Sequence, residues 1–177
     1  MKGFMIGFLA LLLSLGIAGQ VMAYGSADIP VIARIPQMIV LELDATELVF
    51  EESDFDYILG TAELTKVGVI ATKERGVVAT ISGNVPYSLS ISSLDEYLSG
   101  VDGGLIHISQ LKWRLTEERD AKDWEALTIE RVPVRGGPPG TLEVEFDFQF
   151  TAYWVDPAQV YRGAILLTVI PEEGSPL

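Results

Sequence analysis

The strongest pattern in the chain has a period of two. From Thr141 to Trp154, Leu142, Val144, Phe146, Phe148, Phe150, Ala152 and Trp154 alternate with Thr141, Glu143, Glu145, Asp147, Gln149, Thr151 and Tyr153. Successive strand side chains point to opposite faces, so this spacing predicts one long strand with a buried and a wet side. It assigns Trp154 to the core and Asp147 and Tyr153 to solvent. Val85, Tyr87, Leu89 and Ile91 alternate with Pro86, Ser88, Ser90 and Ser92 in the same manner.

Further strands are predicted at 48–50, 66–72, 77–82, 105–115, 126–134 and 161–170. The last has apolar residues on both faces, as a central strand would. The segment 29–43 is rich in Ile and Val but broken by Pro30 and Pro36, which places it at an edge or splits it in two. Gly, Asn, Asp and Pro cluster at 82–84, 102–104, 136–140 and 156–157, where the chain must turn. Only 94–98 and 117–124 have room for a helical turn or two. Seven to nine short antiparallel strands at this spacing predict an all-β, immunoglobulin-like sandwich.

A different pattern precedes the alternation. Lys2, an apolar run from Phe4 to Ala18, and Val21-Met22-Ala23 have the anatomy of a secretory signal peptide cut after Ala23. The run is shorter than a membrane-spanning helix requires. The expected organisation is a signal peptide at 1–23, an N-terminal extension or edge strand at 24–36, and a sandwich domain at 37–177. The expected location is the periplasm or the extracellular surface.

Charge and composition narrow the chemistry. The signal peptide takes away Lys2 and none of the 25 acidic residues, so the formal charge moves from −13 to −14. Such a surface repels phosphate backbones and anionic lipid, which argues against nucleic-acid partners and peripheral membrane binding, and no stable membrane insertion is expected after signal cleavage. Cysteine is absent, which removes disulfides, thiolate metal sites and a lipid carried on cysteine.

Candidate chemistry is sparse. His107, the sole histidine, sits in an apolar strand with no nucleophile elbow beside it, and one imidazole cannot build a zinc site. Glu51, Glu52, Asp54 and Asp56 carry enough carboxylate for calcium but lack the turning loop that would converge them, so a solvated edge is expected. The pattern therefore predicts no catalytic residue, no metal site and no cofactor, and the chain reads as non-enzymatic. Leu111, Trp113 and Leu115 share a core parity, which leaves Lys112 and Arg114 as a small outward basic island. Trp124 and Tyr153 remain as aromatics free to stack on a sugar ring.

The closing run, Asp156-Pro157 followed by Tyr161-Arg162-Gly163-Ala164-Ile165-Leu166-Leu167-Thr168-Val169, and the segment Ser82-Gly83-Asn84-Val85-Pro86-Tyr87-Ser88-Leu89 carry a resemblance. Both are similar to segments of secreted bacterial β-sandwiches of the spore-coat-U-like and archaic fimbrial type. The resemblance implies a structural or adhesive surface subunit whose N-terminal strand completes the sheet of the next copy, with itself or other surface subunits as partners. Ile29, Val31, Ala33 and Ile35, alternating with Pro30, Ile32, Arg34 and Pro36, are the residues such a strand would insert. The alternative is a monomeric extracellular module that binds carbohydrate.

Mass spectrometry of the exported protein should find Tyr24 at its N-terminus. A chain that retains residues 4–18 and partitions with the membrane would overturn the export model.

Overall fold

The computed structural model describes residues 32–58, 60, 62–120 and 123–172. The chain divides into two units, Met1–Ile35 and Pro36–Leu177. Of the first, only residues 32–35 are described; they form no strand and are exposed.

The second unit is an antiparallel, all-β sandwich. Its larger sheet is built on two long partners, β3 (Gly68–Gly83) and β10 (Gly140–Tyr153), which pair from Gly83↔Gly140 to Gly68↔Tyr153. β1 (Ile39–Leu43) and β2 (Ala62–Leu64) line the far side of β3. β7 (Leu111–Leu115) and β8 (Glu125–Ala126) extend the sheet beyond β10. Facing it is a three-stranded sheet in the order β12-β4-β9, formed by Ile165–Pro171, Tyr87–Ser93 and Val132–Gly137. A small sheet, β11-β5-β6, joins Tyr161–Arg162, Tyr97–Gly100 and Leu105–His107. The strands β3, β4, β7, β9, β10 and β12 alternate between the two larger sheets. Immunoglobulin-like sandwiches share this two-layer antiparallel plan.

Alternation builds the core between the layers. Val77, Ala79 and Ile81 of β3, Leu111, Trp113 and Leu115 of β7, and Val144, Phe146 and Phe148 of β10 meet Tyr87, Leu89 and Ile91 of β4. The central residues Ile81, Leu89, Ile91 and Phe146 are wholly shielded. The indole Nε1 of Trp113 lies inside this core without a hydrogen-bond partner among the described residues.

Several elements differ from the sequence reading. Segments 66–72 and 77–82 are one strand, interrupted by a bulge: Phe146 pairs with Val77 and Phe148 with Lys73, so Glu74, Arg75 and Gly76 together face Asp147. Arg75 adopts a left-handed φ of 49°, a conformation uncommon outside glycine, and here it turns the strand out and back. Leu48 and Phe50 pack on the core without forming a strand. Glu52–Phe55 is a 3-10 turn rather than extended chain, because Phe55 folds back onto Phe50 and Phe150. Segment 94–98 has no helix and leads into β5, and the segment 105–115 is broken by a 3-10 turn at Ile108–Gln110. The predicted closing strand is two pieces. Its main part, β12, is an edge rather than a central strand, bonded to β4 alone among the described residues.

Trp154 is corrected most sharply. β10 ends at Tyr153, and Trp154 stands in the following turn with 59 % of its surface exposed. Among the described residues no helix is long and apolar enough to cross a membrane.

Phe148→Ala should cost about 3–5 kcal/mol, because it empties the centre of the sandwich. Gln149→Ala, on the outer face of the same strand, should cost well under about 1 kcal/mol. Equal urea midpoints for the two variants would mean that the face assignment is wrong.

Candidate functional site

The most elaborate polar arrangement sits where alternation predicts a solvated side chain. Asp147 points to the outer face of β10 and is nevertheless completely buried. Its Oδ1 accepts the Arg75 N–H at 3.0 Å, the Thr116 hydroxyl at 2.9 Å and Arg119 Nη2 at 3.0 Å. Its Oδ2 accepts Arg119 Nε at 2.9 Å and Arg114 Nε at 3.3 Å. The bulge creates this demand: three residues opposite one leave the Arg75 N–H without a ladder partner, and the carboxylate supplies it. Arg119 closes over the group as a two-pronged clamp and also reaches Glu74 Oε2 at 3.0 Å. Arg75 turns outward to Glu145 Oε1 at 2.7 Å.

Burial by itself pushes the Asp147 carboxyl up, but the Arg119 bonds and charge, the Arg75 N–H and Thr116 outweigh it and hold the pKa at about 2. A carboxylate locked in this state with five donors cannot serve as a general acid, base or nucleophile at neutral pH. It is a structural anchor. Arg114, expected to face outward with Lys112, is drawn into this anchor, and its guanidinium lies 4.2 Å above the Trp124 ring.

The two candidate sugar-stacking aromatics do not share a platform. Trp124 is half-buried, and Arg114 covers one face of its ring. The register puts Arg114 opposite Asp147, and Tyr153 lies farther along β10 by about 20 Å at 3.3 Å per residue. Tyr153 is exposed, at 39 % of its surface.

His107 closes β6 and caps the next 3-10 turn. The Ser109 N–H donates to the His107 Nδ1 at 3.2 Å, and the Ser109 hydroxyl lies 2.7 Å from the same nitrogen. Nε2 faces Glu96 Oε1 at 3.6 Å, beyond hydrogen-bond range. Sequence reasoning missed this serine, which is adjacent only because the turn folds it back. Two concavities flank the sheets. One, of about 210 Å³, is lined by Leu115, Glu117, Arg135, Glu143, Val144 and Glu145. The other lies against Ser88, Ile170, Pro171 and Glu172, and neither touches His107.

The acidic segment is engaged internally. Asp54 binds Lys73 Nζ at 2.6 Å and the Glu51 N–H at 2.7 Å, and these bonds hold its carboxyl below the ordinary range. Asp56 accepts the Ile58 N–H at 2.9 Å. Among the described residues no three ligating side chains converge.

Ile29 and Val31 lie outside the described residues, and Ala33 and Ile35 are exposed. The edge that a fourth strand would extend is described. On β4 the inward Tyr87, Leu89 and Ile91 are at most 1 % exposed. On β12 the inward Ile165, Leu167 and Val169 are only half-buried, as are Ile39 and Leu41 of β1 along the same edge.

No family model and no curated protein matches the chain. Among solved structures, a family 123 glycoside hydrolase from Clostridium perfringens, studied for glycolipid glycan hydrolysis, superimposes with a TM-score of 0.42 at 12 % identity. The match covers 77 % of this chain and 25 % of that one, so the chain spans about a quarter of that enzyme's length.

The sign of the Asp147 effect on stability follows from its depressed pKa. Relative to an ordinary value of 3.8, a folded value of about 2 contributes stability above pH 4 that disappears as pH falls towards 2. The contribution is about 2 kcal/mol. Asp147→Asn should therefore flatten this part of the acid limb, and should cost about 3–5 kcal/mol at neutral pH, where Arg119 and Arg114 lose their counter-charge. Urea unfolding across this range tests it. Parallel acid limbs for the variant and the parent would exclude an ionised anchor.

Proposed function

We propose that this protein is an exported, non-catalytic structural or adhesive subunit of the cell surface, which assembles by adding its N-terminal segment to the sheet of a second copy. The observation that carries this reading is the state of β12. Among the described residues it has a ladder on one side only, and its inward residues Ile165, Leu167 and Val169 are half-buried while those of β4 are shielded. A strand laid beside β12 would satisfy its free backbone groups and cover these side chains. The segment with Ile29, Val31, Ala33 and Ile35 at alternate positions has the required period.

Two further features support a structural role. The best-organised polar cluster is spent on an anchor, and the sole histidine caps a turn. The reading as a monomeric carbohydrate-binding module draws less support, since Trp124 and Tyr153 stand far apart and one face of Trp124 is occupied.

Purified mature protein should form a ladder of multimers that survives mild detergent and dilution. Deleting residues 24–36 should remove the ladder and preserve the β-type circular dichroism. Four inserted apolar side chains would bury a few hundred Å² and contribute several kcal/mol, at about 25 cal/mol per Å². A monodisperse monomer at high concentration, destabilised by the deletion, would sink strand addition.

A further inference from the structure

The loop that follows β10 inverts the usual arrangement of polar and apolar residues. In 154–160 the polar Asp156 and Gln159 turn inward, and Trp154, Val155, Pro157, Ala158 and Val160 are exposed. The inward pair fixes the backbone. Asp156 Oδ2 accepts the Tyr153 N–H and Gln110 Nε2, each at 2.8 Å, and the Asp156 N–H returns to the Tyr153 carbonyl at 3.0 Å. Gln110, itself buried, also donates to the Thr151 carbonyl at 2.9 Å. At the other end Gln159 Oε1 accepts the Asp102 N–H at 2.8 Å, and its Nε2 donates to the Tyr161 hydroxyl at 3.1 Å. Its side chain fills space left by Gly100 and Gly104, where any Cβ would collide with it.

The apolar surface continues beyond the loop at both ends. The Trp154 N–H binds the Val67 carbonyl at 3.0 Å, and the Val101 N–H binds the Val160 carbonyl at 3.2 Å. Val67, Val101 and Leu105 are all at least 60 % exposed, and Val155 reaches 86 %. Fixing a loop so firmly while its apolar side chains face water costs stability unless something covers them. Loops that merely connect strands have no need of this.

We propose that this surface is a two-fold contact with a second copy of the chain. Charge selects the partner. On a protein of formal charge −13, most approaches between copies bring carboxylates together. Here the loop's only charge is turned inward, and the exposed charges that flank it are of both signs: Lys66 beside Val67, Asp102 beside Val101, and Arg162 just past Val160. A two-fold axis lets each Lys66 meet the Asp102 of the other copy, so the rim is self-complementary. The exposed apolar area amounts to about 600 Å² per copy, which takes the paired total past the roughly 1,000 Å² that a specific interface needs. This contact is separate from strand addition at β12.

Sedimentation of the full mature chain over a wide concentration range tests the proposal, with Val155→Asp and Trp154→Ser as variants. Both positions are exposed, so melting temperatures should hold. The expected result is a doubling of mass that reverses on dilution and is weakened about tenfold to a hundredfold in each variant. Any dilution-resistant ladder built through residues 24–36 should persist in both variants, which separates this contact from strand addition. Absence of a reversible doubling, or a doubling that both variants retain, overturns the proposal. Variant-sensitive binding of a monomeric chain to phosphatidylcholine vesicles would also overturn it and assign the loop to a bilayer.

Discussion

The buried carboxylate of Asp147 is the constraint around which the larger sheet is organised. A bulge of three residues in β3 leaves a backbone N–H turned away from the ladder, and Arg75 is held in a left-handed conformation to make the excursion. Without an acceptor, that N–H and the flanking arginines would be desolvated with nothing to bind. With the acceptor present, one side chain joins four parts of the chain: β10, the β3 bulge, the end of β7 through Arg114, and the turn that carries Thr116 and Arg119. The desolvation of a charge at this position is offset by five donors rather than by hydrophobic packing. In a chain without cysteine, this network ties the outer turn to the sheet as a covalent bridge might elsewhere.

Alternation made the fold class and most of the core legible. The inward residues of β4, β7 and β10 were read correctly because each strand has one partner layer and a clear polar face. Asp147 was not legible, since its position on the wet face is correct and its burial comes from side chains 28 and 33 residues away on another turn and strand. The one local trace is Lys73-Glu74-Arg75-Gly76, a charged break in an apolar run. Parity alone puts Trp154 in the core, but the strand ends one residue before it. Asp156-Pro157 marked the turn, and Asp156 captures the Tyr153 N–H to end the strand. β12 read as central because both faces are apolar, yet Leu166 and Ile170 on its outer face remain exposed.

Apolar residues are thus left uncovered in two ways. Along β1 and β12 the core-facing side chains are only half-buried, and among the described residues β12 pairs with β4 alone. In the loop 154–160 the side chains face outward by construction, with buried Gln110 and the inward Asp156 and Gln159 holding the display. The first is the edge proposed to receive an extended segment, and the second is the surface proposed to meet another copy.

The pairing of β3 with β10 has a consequence for the order in which the chain matures. These strands share the longest ladder in the molecule, yet all the elements from β4 to β9 lie between them in sequence. Contacts between such distant segments form slowly, because the intervening loop must be closed before any pairing compensates for it. A chain emerging N-terminus first would therefore carry β3 with its β10 side unpaired, and Val77, Ala79 and Ile81 on one face, until β10 follows. The charged triplet 73–75 interrupts that stretch midway, as gatekeeper residues do in aggregation-prone segments. Glu74 and Arg75 thus belong both to the bulge of the finished sheet and to the charged break that guards the strand while β10 is still missing.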